Sequence, residues 1–453
     1  MQWIAPSPKD AAAETLERRL WASADQLRAN SGLKAQEYAA PILGLIFLRF
    51  ADAGRYDALQ QLPESPGLGS RIAAAMEQIE HDQPQLAGVL PKNYHLFAGS
   101  VLKELLRNIA AIPAASDYDG FGRIYEYFLG AFARSEGQRG GEFYTPACIV
   151  RLLTEILAPY HGRILDPACG TGGMFVSSAR FVAQHRLNPA SALALHGIEK
   201  SAETGRLCRL NLALHGLCGD IRHGGDSNSY YDDPHNACGR FDFVLANPPF
   251  NVNAVDKDRL AHAVGHGRRY PFGLPRTDNA NYLWIQLFYS ALNSTGRAGF
   301  VMANSAADAR ASEQELRQAL IADRAVDGMI AMSSNLFYTA ALPCTLWFLD
   351  RSKRRTPRAD TVLFVDARRI YRQVDRAHRD LAPAQVGFLA NLVRLYRQEA
   401  LDFTVGGAEA EAKIAEVFGP RPEYADVVGL CKAAPLSEVA AHGGSLNPCR
   451  YVG

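Results

Sequence analysis

The sequence has 453 residues, 48% of them hydrophobic and 21% charged. That length exceeds one ordinary domain, and that balance excludes a disordered, collagen-like or coiled-coil chain. Lysine and arginine number 48 against 47 acids, a net charge of +1, so any sequence-independent grip on nucleic acid has to come from a local patch or another subunit.

Residues 9–135 read as mostly helical. Leu16, Leu20 and Leu27 begin a series of apolar positions at helical spacing, with breaks at Pro63–Gly69 and Pro113. The longest apolar run, Tyr38–Leu48, contains Pro41 and Gly44. It is too short to span a bilayer, which predicts a buried helix and no membrane partner. No charged-then-apolar leader opens the sequence, and its eight cysteines are scattered without a C-x-x-C pair. The expectation is a reduced, cytoplasmic chain with no metal site.

From Gly137 the texture changes. Strand-like runs at Arg163–Leu165, Leu193–Ile198, Ile221–His223, Phe241–Leu245, Gly299–Met302, Val326–Ile330, Thr345–Leu349 and Val362–Val365 alternate with amphipathic stretches. The clearest of these are Met174–His185, Ala202–His215, Tyr282–Leu292 and Ser312–Ala322. Such alternation predicts an α/β fold with a mainly parallel sheet covered on both faces, whose ligands bind outside the carboxyl ends of the strands. The expected organisation is an all-helical domain over 1–136, a catalytic α/β domain over 137–370 and a less patterned appendage over 371–453.

The first strand runs into Asp166-Pro167-Ala168-Cys169-Gly170-Thr171-Gly172-Gly173. Glycines here permit positive φ and close backbone approach to a ligand. The spacing departs from the dinucleotide pattern G-x-G-x-x-G, and a carboxylate at the strand end would repel a pyrophosphate and attract an ammonium. The next strand ends at Glu199, able to accept both hydroxyls of a ribose. A third strand precedes Gly224-Gly225-Asp226, whose acid can meet an adenine amino group. Together the three acids describe a pocket for S-adenosylmethionine.

A further strand runs directly into Asn247-Pro248-Pro249-Phe250. The prolines fix φ and remove two backbone donors, so the turn is rigid and its carbonyls are free. Asn247 offers a side-chain carbonyl to an amino hydrogen and Phe250 a flat face for stacking. Two acceptors on an aromatic amine would draw its nitrogen towards sp³ geometry and aim the lone pair at a methyl group.

These residues resemble the methyltransferases that act on adenine N6. The flanking segment Glu142-Phe143-Tyr144-Thr145-Pro146-Ala147 is similar to the aromatic-Thr-Pro motif of the modification subunit of type I restriction–modification systems. Segments 336–349 and Asn281-Tyr282-Leu283-Trp284 also resemble that family, as does the N-terminal run ending Leu45-Ile46-Phe47-Leu48-Arg49-Phe50. The resemblance implies a Rossmann-like S-adenosylmethionine-dependent methyltransferase sheet with an N-terminal all-helical domain. It implies residues 142–147, Asp166, Gly170, Thr171, Gly172, Gly173, Glu199 and Asp226 as cofactor contacts, the aromatic-Thr-Pro motif at the methionine end. It implies Asn247, Pro248, Pro249 and Phe250 as catalytic residues. The implied partners are double-stranded DNA, a specificity subunit and a second modification subunit, with a nuclease–translocase subunit as an optional further member. The family's chains run on past a similar Arg-Tyr-Val with a helical tail that meets the specificity subunit, whereas this sequence ends at Tyr451-Val452-Gly453. A glutamine-amide or rRNA methyltransferase, a catalytically silent scaffold and an NAD-binding enzyme are the alternatives. The aromatic-Thr-Pro motif with its helical domain, the intact Asp166, Glu199 and Asn247, and the glycine spacing argue against them in turn. The loop Asn251–Pro275, with Lys257, Arg259, Arg268 and Arg269, is either a phosphate-steadying or a plain solvated segment. The tract Lys353–Arg358 reads as a solvated loop.

Overall fold

The structure is a computed structural model, and its described residues are 1–5, 35–111, 145–225, 227–337, 343–375 and 378–453. Glu142, Phe143, Tyr144 and Asp226 lie outside them, as do the leucines at 16, 20 and 27.

Strand β1 (Trp3–Ala5) is followed by four helices, α1 (Ala35–Ala51), α2 (Ala53–Gln61), α3 (Leu68–Asp82) and α4 (Gly99–Ala110). Between residues 35 and 111 the regular elements are all helical, as the sequence predicts. The apolar run of α1 is indeed buried, from Ile42 to Leu48. On α4 the buried positions are Leu102, Leu105, Leu106 and Ile109, one face of a 3.6-residue repeat. Two buried tyrosines join the helices by their hydroxyls. Tyr56 donates to the Leu106 carbonyl at 2.7 Å and Tyr94 to the Pro41 carbonyl at 3.0 Å.

The catalytic part begins with α5 (Ala147–Leu157), β2 (Gly162–Asp166), α6 (Gly173–Gln184), β3 (Leu193–Glu199), α7 (Ala202–Leu214), β4 (Gly219–His223) and β5 (Phe241–Ala246). It continues through α8 (Asn281–Ala291), β6 (Leu292–Ala303), α9 (Ser312–Ala322), β7 (Val326–Ala331), β8 (Cys344–Asp350) and β9 (Thr361–Asp366). Then come β10 (Ile370–Gln373), β11 (Arg379–Asp380), α10 (Pro383–Arg397), α11 (Gly407–Phe418) and β12 (Cys431–Pro435). Nine strands form one sheet in the order β12-β9-β7-β8-β6-β5-β2-β3-β4. Strand β8 runs antiparallel to β6 and β7, and β12 antiparallel to β9; the other pairings are parallel. The helical N-terminal part rests on α7, where Leu210 completes its core and Arg209 donates to the Gln85 carbonyl at 3.0 Å.

All eight predicted strands are present. The largest difference is β6, which starts at Leu292 and not at Gly299. Leu292 pairs with Phe241, then the register jumps so that Arg297 faces Phe243. The polar residues Asn293–Gly296 occupy this bulge and interrupt the apolar signal. Residues 371–453, expected as an appendage, supply the ninth strand and a helix, α10, that is buried along almost its whole length. A helix buried on all sides has no polar face to reveal it. The tract Lys353–Arg358 also differs from the expected solvated loop. Lys353 is fully buried and donates to the Val326 carbonyl at 2.7 Å, while Arg358 pairs with Asp327.

Candidate active site

The sheet reverses direction at β2. From β2 the chain builds outward through β3 and β4, and β5 and β6 lie on the other side. The crevice of such a sheet opens between the carboxyl ends of the two strands at the reversal. Here those ends are Asp166 on β2 and the Asn247–Phe250 turn that follows β5.

Asp166 is 1% exposed. Its Oδ1 accepts the Ala168 N–H at 3.0 Å. Burial pushes its carboxyl up to about 8, against the pull of that N–H, and the nearby Glu199 adds to the rise. No cation among the described residues pairs with it. The site therefore holds a desolvated acid whose ionised form lacks a counter-charge.

The glycine loop reaches from Asp166 to α6. Gly170 (φ 52°) and Gly172 (φ 83°) stand in the left-handed region, and a Cβ on Gly172 would come within 2.9 Å of the Cys208 sulfur. Both features demand glycine. Glu199, at the end of β3, latches this loop. One carboxylate oxygen accepts the Gly170 N–H at 3.0 Å and the other the Ser201 N–H at 2.8 Å. Asn211 on α7 steadies the same loop, donating to the Thr171 carbonyl at 2.8 Å. Cys169 is buried, its thiol raised well above the usual range by a hydrogen bond with Cys208 and by burial, and is thus a neutral, unreactive filler.

Thr145, Ala147, Thr171 and Gly173, all expected as cofactor contacts, line a cleft of about 260 Å³ between α5, α6 and the segment from β10 to α10, whereas Asp166, Gly170, Gly172, Glu199 and the Asn247 turn are not part of its lining. Thr145 makes a contact that sequence reasoning missed. The Asn247 side-chain amide donates from Nδ2 to the Thr145 hydroxyl oxygen at 2.8 Å. The other end of that amide, Oδ1, is buried and has no hydrogen-bond partner among the described residues. Among the described residues nothing donates to the Pro248 carbonyl either. Two acceptors thus stand unused beside half-buried Phe250.

The turn is held from behind by Asn281, at the start of α8. Its Oδ1 accepts the Asn251 N–H at 2.8 Å and its Nδ2 donates to the Asn251 Oδ1 at 3.0 Å. Asn251 has φ 58° and needs that support. The Asn281-Tyr282-Leu283-Trp284 segment was visible as a motif, but its role was not. The loop cations, read from the sequence as either phosphate-steadying or solvated, make contacts within the chain. Lys257 donates to the Thr277 carbonyl, Arg268 to His262 and Arg269 to Tyr230, while Arg259 stacks 4.0 Å above the Tyr231 ring. Among the described residues there is no cluster of metal-ligating side chains and no helix long and apolar enough to cross a membrane.

The N-6 DNA methylase family matches residues 116–453, and the HsdM N-terminal domain matches residues 16–65. A type I restriction enzyme methylase subunit of Methanocaldococcus jannaschii, MjaIX, is 31% identical over 500 residues, covering 96% of this chain and 84% of its own. The HindI methylase subunit of Haemophilus influenzae is 31% identical over 404 residues, covering 85% and 83%. A type I restriction–modification methyltransferase subunit from Streptococcus thermophilus superposes with a TM-score of 0.76 at 19% identity, covering 97% of this chain and 99% of that one. The superposition shows the fold, and the two sequence matches show the kinship.

Proposed function

The chain belongs to the N-6 DNA methylase family, as a methylase subunit of the type I restriction–modification kind, and on that footing we propose how its carboxyl-edge site works. The site takes S-adenosylmethionine and an adenine turned out of double-stranded DNA, and transfers a methyl group to N6. The observation that carries this reading is the Asn247 amide, whose buried Oδ1 has no partner while its Nδ2 is held by Thr145. A buried acceptor left unpaired costs about 1–3 kcal/mol, and a substrate amine relieves that cost.

When bound, the cofactor supplies a methyl group activated by a sulfonium. Asp166 is suited to its ammonium, Glu199 to its ribose, and Thr145, Ala147, Thr171 and Gly173 to the cleft wall beside it. Phe250 stacks on the extruded base, replacing lost stacking worth about 1–3 kcal/mol. Asn247 Oδ1 and the Pro248 carbonyl accept the two N6 hydrogens, which turns the nitrogen lone pair out of the ring plane and towards the methyl carbon. One N6–H proton leaves to water after the new C–N bond forms.

Two partner statements accompany this reading. With a net charge of +1 and its loop cations committed internally, the chain takes its DNA site from a separate specificity subunit, in an assembly with a second modification subunit. Its eight cysteines are all free, in keeping with a reducing cytoplasm.

Asn247→Ala tests the chemistry. Transfer is expected to collapse while S-adenosylhomocysteine still binds in a calorimetric titration; Phe250→Ala is milder and weakens mainly the hold on the flipped base. Transfer by Asn247→Ala at the wild-type rate overturns the assignment. Methylation of plasmid DNA by the chain alone and with a co-expressed specificity subunit tests the partner. Full sequence-specific N6 methylation by the lone chain overturns that part only.

A further inference from the structure

We propose that Thr145 is a positioning residue for methyl transfer, its hydroxyl holding the Nδ2 end of the Asn247 amide so that Oδ1 faces the substrate amine. The proposal rests on the reading of the site given above and adds a role within it.

A primary amide has two nearly isosteric settings, related by a half-turn about its last bond. Only one presents an acceptor to an amine; the other presents two N–H donors, which repel it. In this structure the acceptor setting is held by a residue 102 positions earlier in the chain, Thr145, whose oxygen takes the Nδ2 hydrogen at 2.8 Å, and among the described residues Oδ1 stays buried and unpaired.

Both backbones are fixed, so the contact works as a constraint. Asn247 follows the buried Ala246 at the end of β5 and precedes buried Pro248. Thr145 precedes Pro146, which confines it to extended backbone and caps α5 with φ −56° and ψ 136°. Helix α5 is itself buried at Ile149, Val150, Leu152 and Leu153. The β-branch of threonine limits χ1, so its hydroxyl has little freedom to follow a rotating amide. The aromatic-Thr-Pro segment and the Asn-Pro-Pro-Phe turn are therefore coupled by one hydrogen bond, and the wall of the cofactor cleft also orients the group that meets the base.

The experiment uses the full chain assembled with a specificity subunit, methylating duplex DNA in single turnover at saturating cofactor. Thr145→Val keeps the shape and removes the hydroxyl. Its transfer rate is expected to fall about tenfold to a hundredfold, the loss typical of a reacting group displaced by about an ångström, and the loss is expected to persist when the cofactor concentration is raised further. Thr145→Ser is expected to restore the rate. Thr145→Ala covers the case in which the second valine methyl does not fit. In an Asn247→Ala background Thr145→Val should cost nothing further, because no amide is left to orient. A wild-type rate in both Thr145→Val and Thr145→Ala overturns the proposal. So does a rate loss matched by lost cofactor affinity and repaired by more cofactor, which makes Thr145 a cofactor contact alone. A wild-type assembly that transfers no methyl to adenine overturns the reading of the site, and this role with it; a methylating wild type beside an unimpaired valine variant overturns this role alone.

Discussion

At the amino ends of β6 and β7 and the carboxyl end of β8, the sheet buries a dense group of charges. Asp327 pairs with Arg358 and, at 2.8 Å, with Arg397. Asp350 accepts from the Ser352 N–H at 2.8 Å and its hydroxyl at 2.5 Å, with Arg358 and Arg297 at 3.4 Å. At the carboxyl ends of β2 and β5, by contrast, buried Asp166 has no counter-charge among the described residues, and the buried Oδ1 of half-buried Asn247 has no hydrogen-bond partner there. The electrostatics part accordingly. Burial works against ionisation of both acids, but Arg397, Arg358 and Lys353 outweigh it at Asp327 and hold that carboxyl at about 2, while Asp166 sits at about 8. Burial alone does not distinguish scaffold from site. A buried acid whose counter-charges come from its own chain is scaffold; one left without a counter-charge is where a ligand can supply it.

The sharpest way to break this contrast is Asp327→Ala. It strands two arginines in the interior, and loss of one partner of a buried ion pair costs about 3–5 kcal/mol. Urea unfolding should register that loss while the folded fraction binds S-adenosylhomocysteine normally; a loss below about 1 kcal/mol would place the network on a par with surface pairs. Acid should mimic the substitution. The folded value of about 2 lies below the ordinary carboxylate value of about 3.9, so the stability Asp327 contributes is present above pH 4 and drains away towards pH 2.

Asn247→Ala is the counterpart at the site. Transfer should fall about 10²–10³-fold, as on removal of a preorganised hydrogen-bonding group elsewhere, yet urea unfolding should show stability unchanged or raised, because the side chain removed carries an unpaired oxygen. A stability loss like that of Asp327→Ala would mean that Oδ1 is satisfied after all.

Glu199→Ala belongs to both regimes, since Glu199 latches the glycine loop and faces the crevice. Cofactor affinity should weaken by about 1–3 kcal/mol, the value of charge-assisted bonds to an ionised group, and the melting temperature should drop as the Gly170 and Ser201 N–H groups lose their acceptor. A variant altered in only one of these measurements would assign Glu199 to that role alone.

The smallest effect expected is a gain. Asp166 has a folded value near 8 against about 3.9 unfolded, so it binds a proton in the folded chain that the unfolded chain releases. Its presence costs stability progressively as pH rises from about 4 to 8. Asp166→Asn should therefore stabilise the cofactor-free protein by about 0.5–2 kcal/mol, more at pH 8 than at pH 5, while abolishing the match to the cofactor ammonium. Equal melting temperatures for variant and wild type at both pH values would contradict it.

Much of this was legible before any coordinates. The strands end at Asp166, Glu199 and Ala246, each one residue past the end of the predicted apolar run, and α9 spans Ser312–Ala322 as predicted. Asp166 and the Asn247 turn lie together at one edge because parallel strands put their carboxyl ends on one side. What could not be read were contacts whose partners are far apart in sequence. Thr145 meets Asn247 across 102 residues, and Arg397 meets Asp327 across 70. In the tract Lys353–Arg358, Arg354 and Arg355 are exposed as the sequence suggests, but Lys353 and Arg358 look solvated too until Asp327 and Asp350 are placed beside them. Helix α10 shows the same limit: its Gln385 and Asn391 are buried with backbone partners at Trp3, Tyr371 and Asp402, and no local pattern announces such partners.

Strand β1 pairs in parallel with β10, Trp3 opposite Ile370 and Ala5 opposite Arg372, and Trp3 packs edge-on against Phe388. This pairing fixes an order of events in synthesis. Trp3 and Ile4 leave the ribosome with nothing to pair with until residues near 372 follow, an interval of roughly 20–70 s at 5–20 residues per second. Helix α10, which holds the Trp3 carbonyl through Gln385, emerges later still. Trp3 and Ile4 thus wait for partners more than 360 residues further on, and the small sheet they form is a seal that closes only after the strands of the large sheet from β2 to β9 have been made.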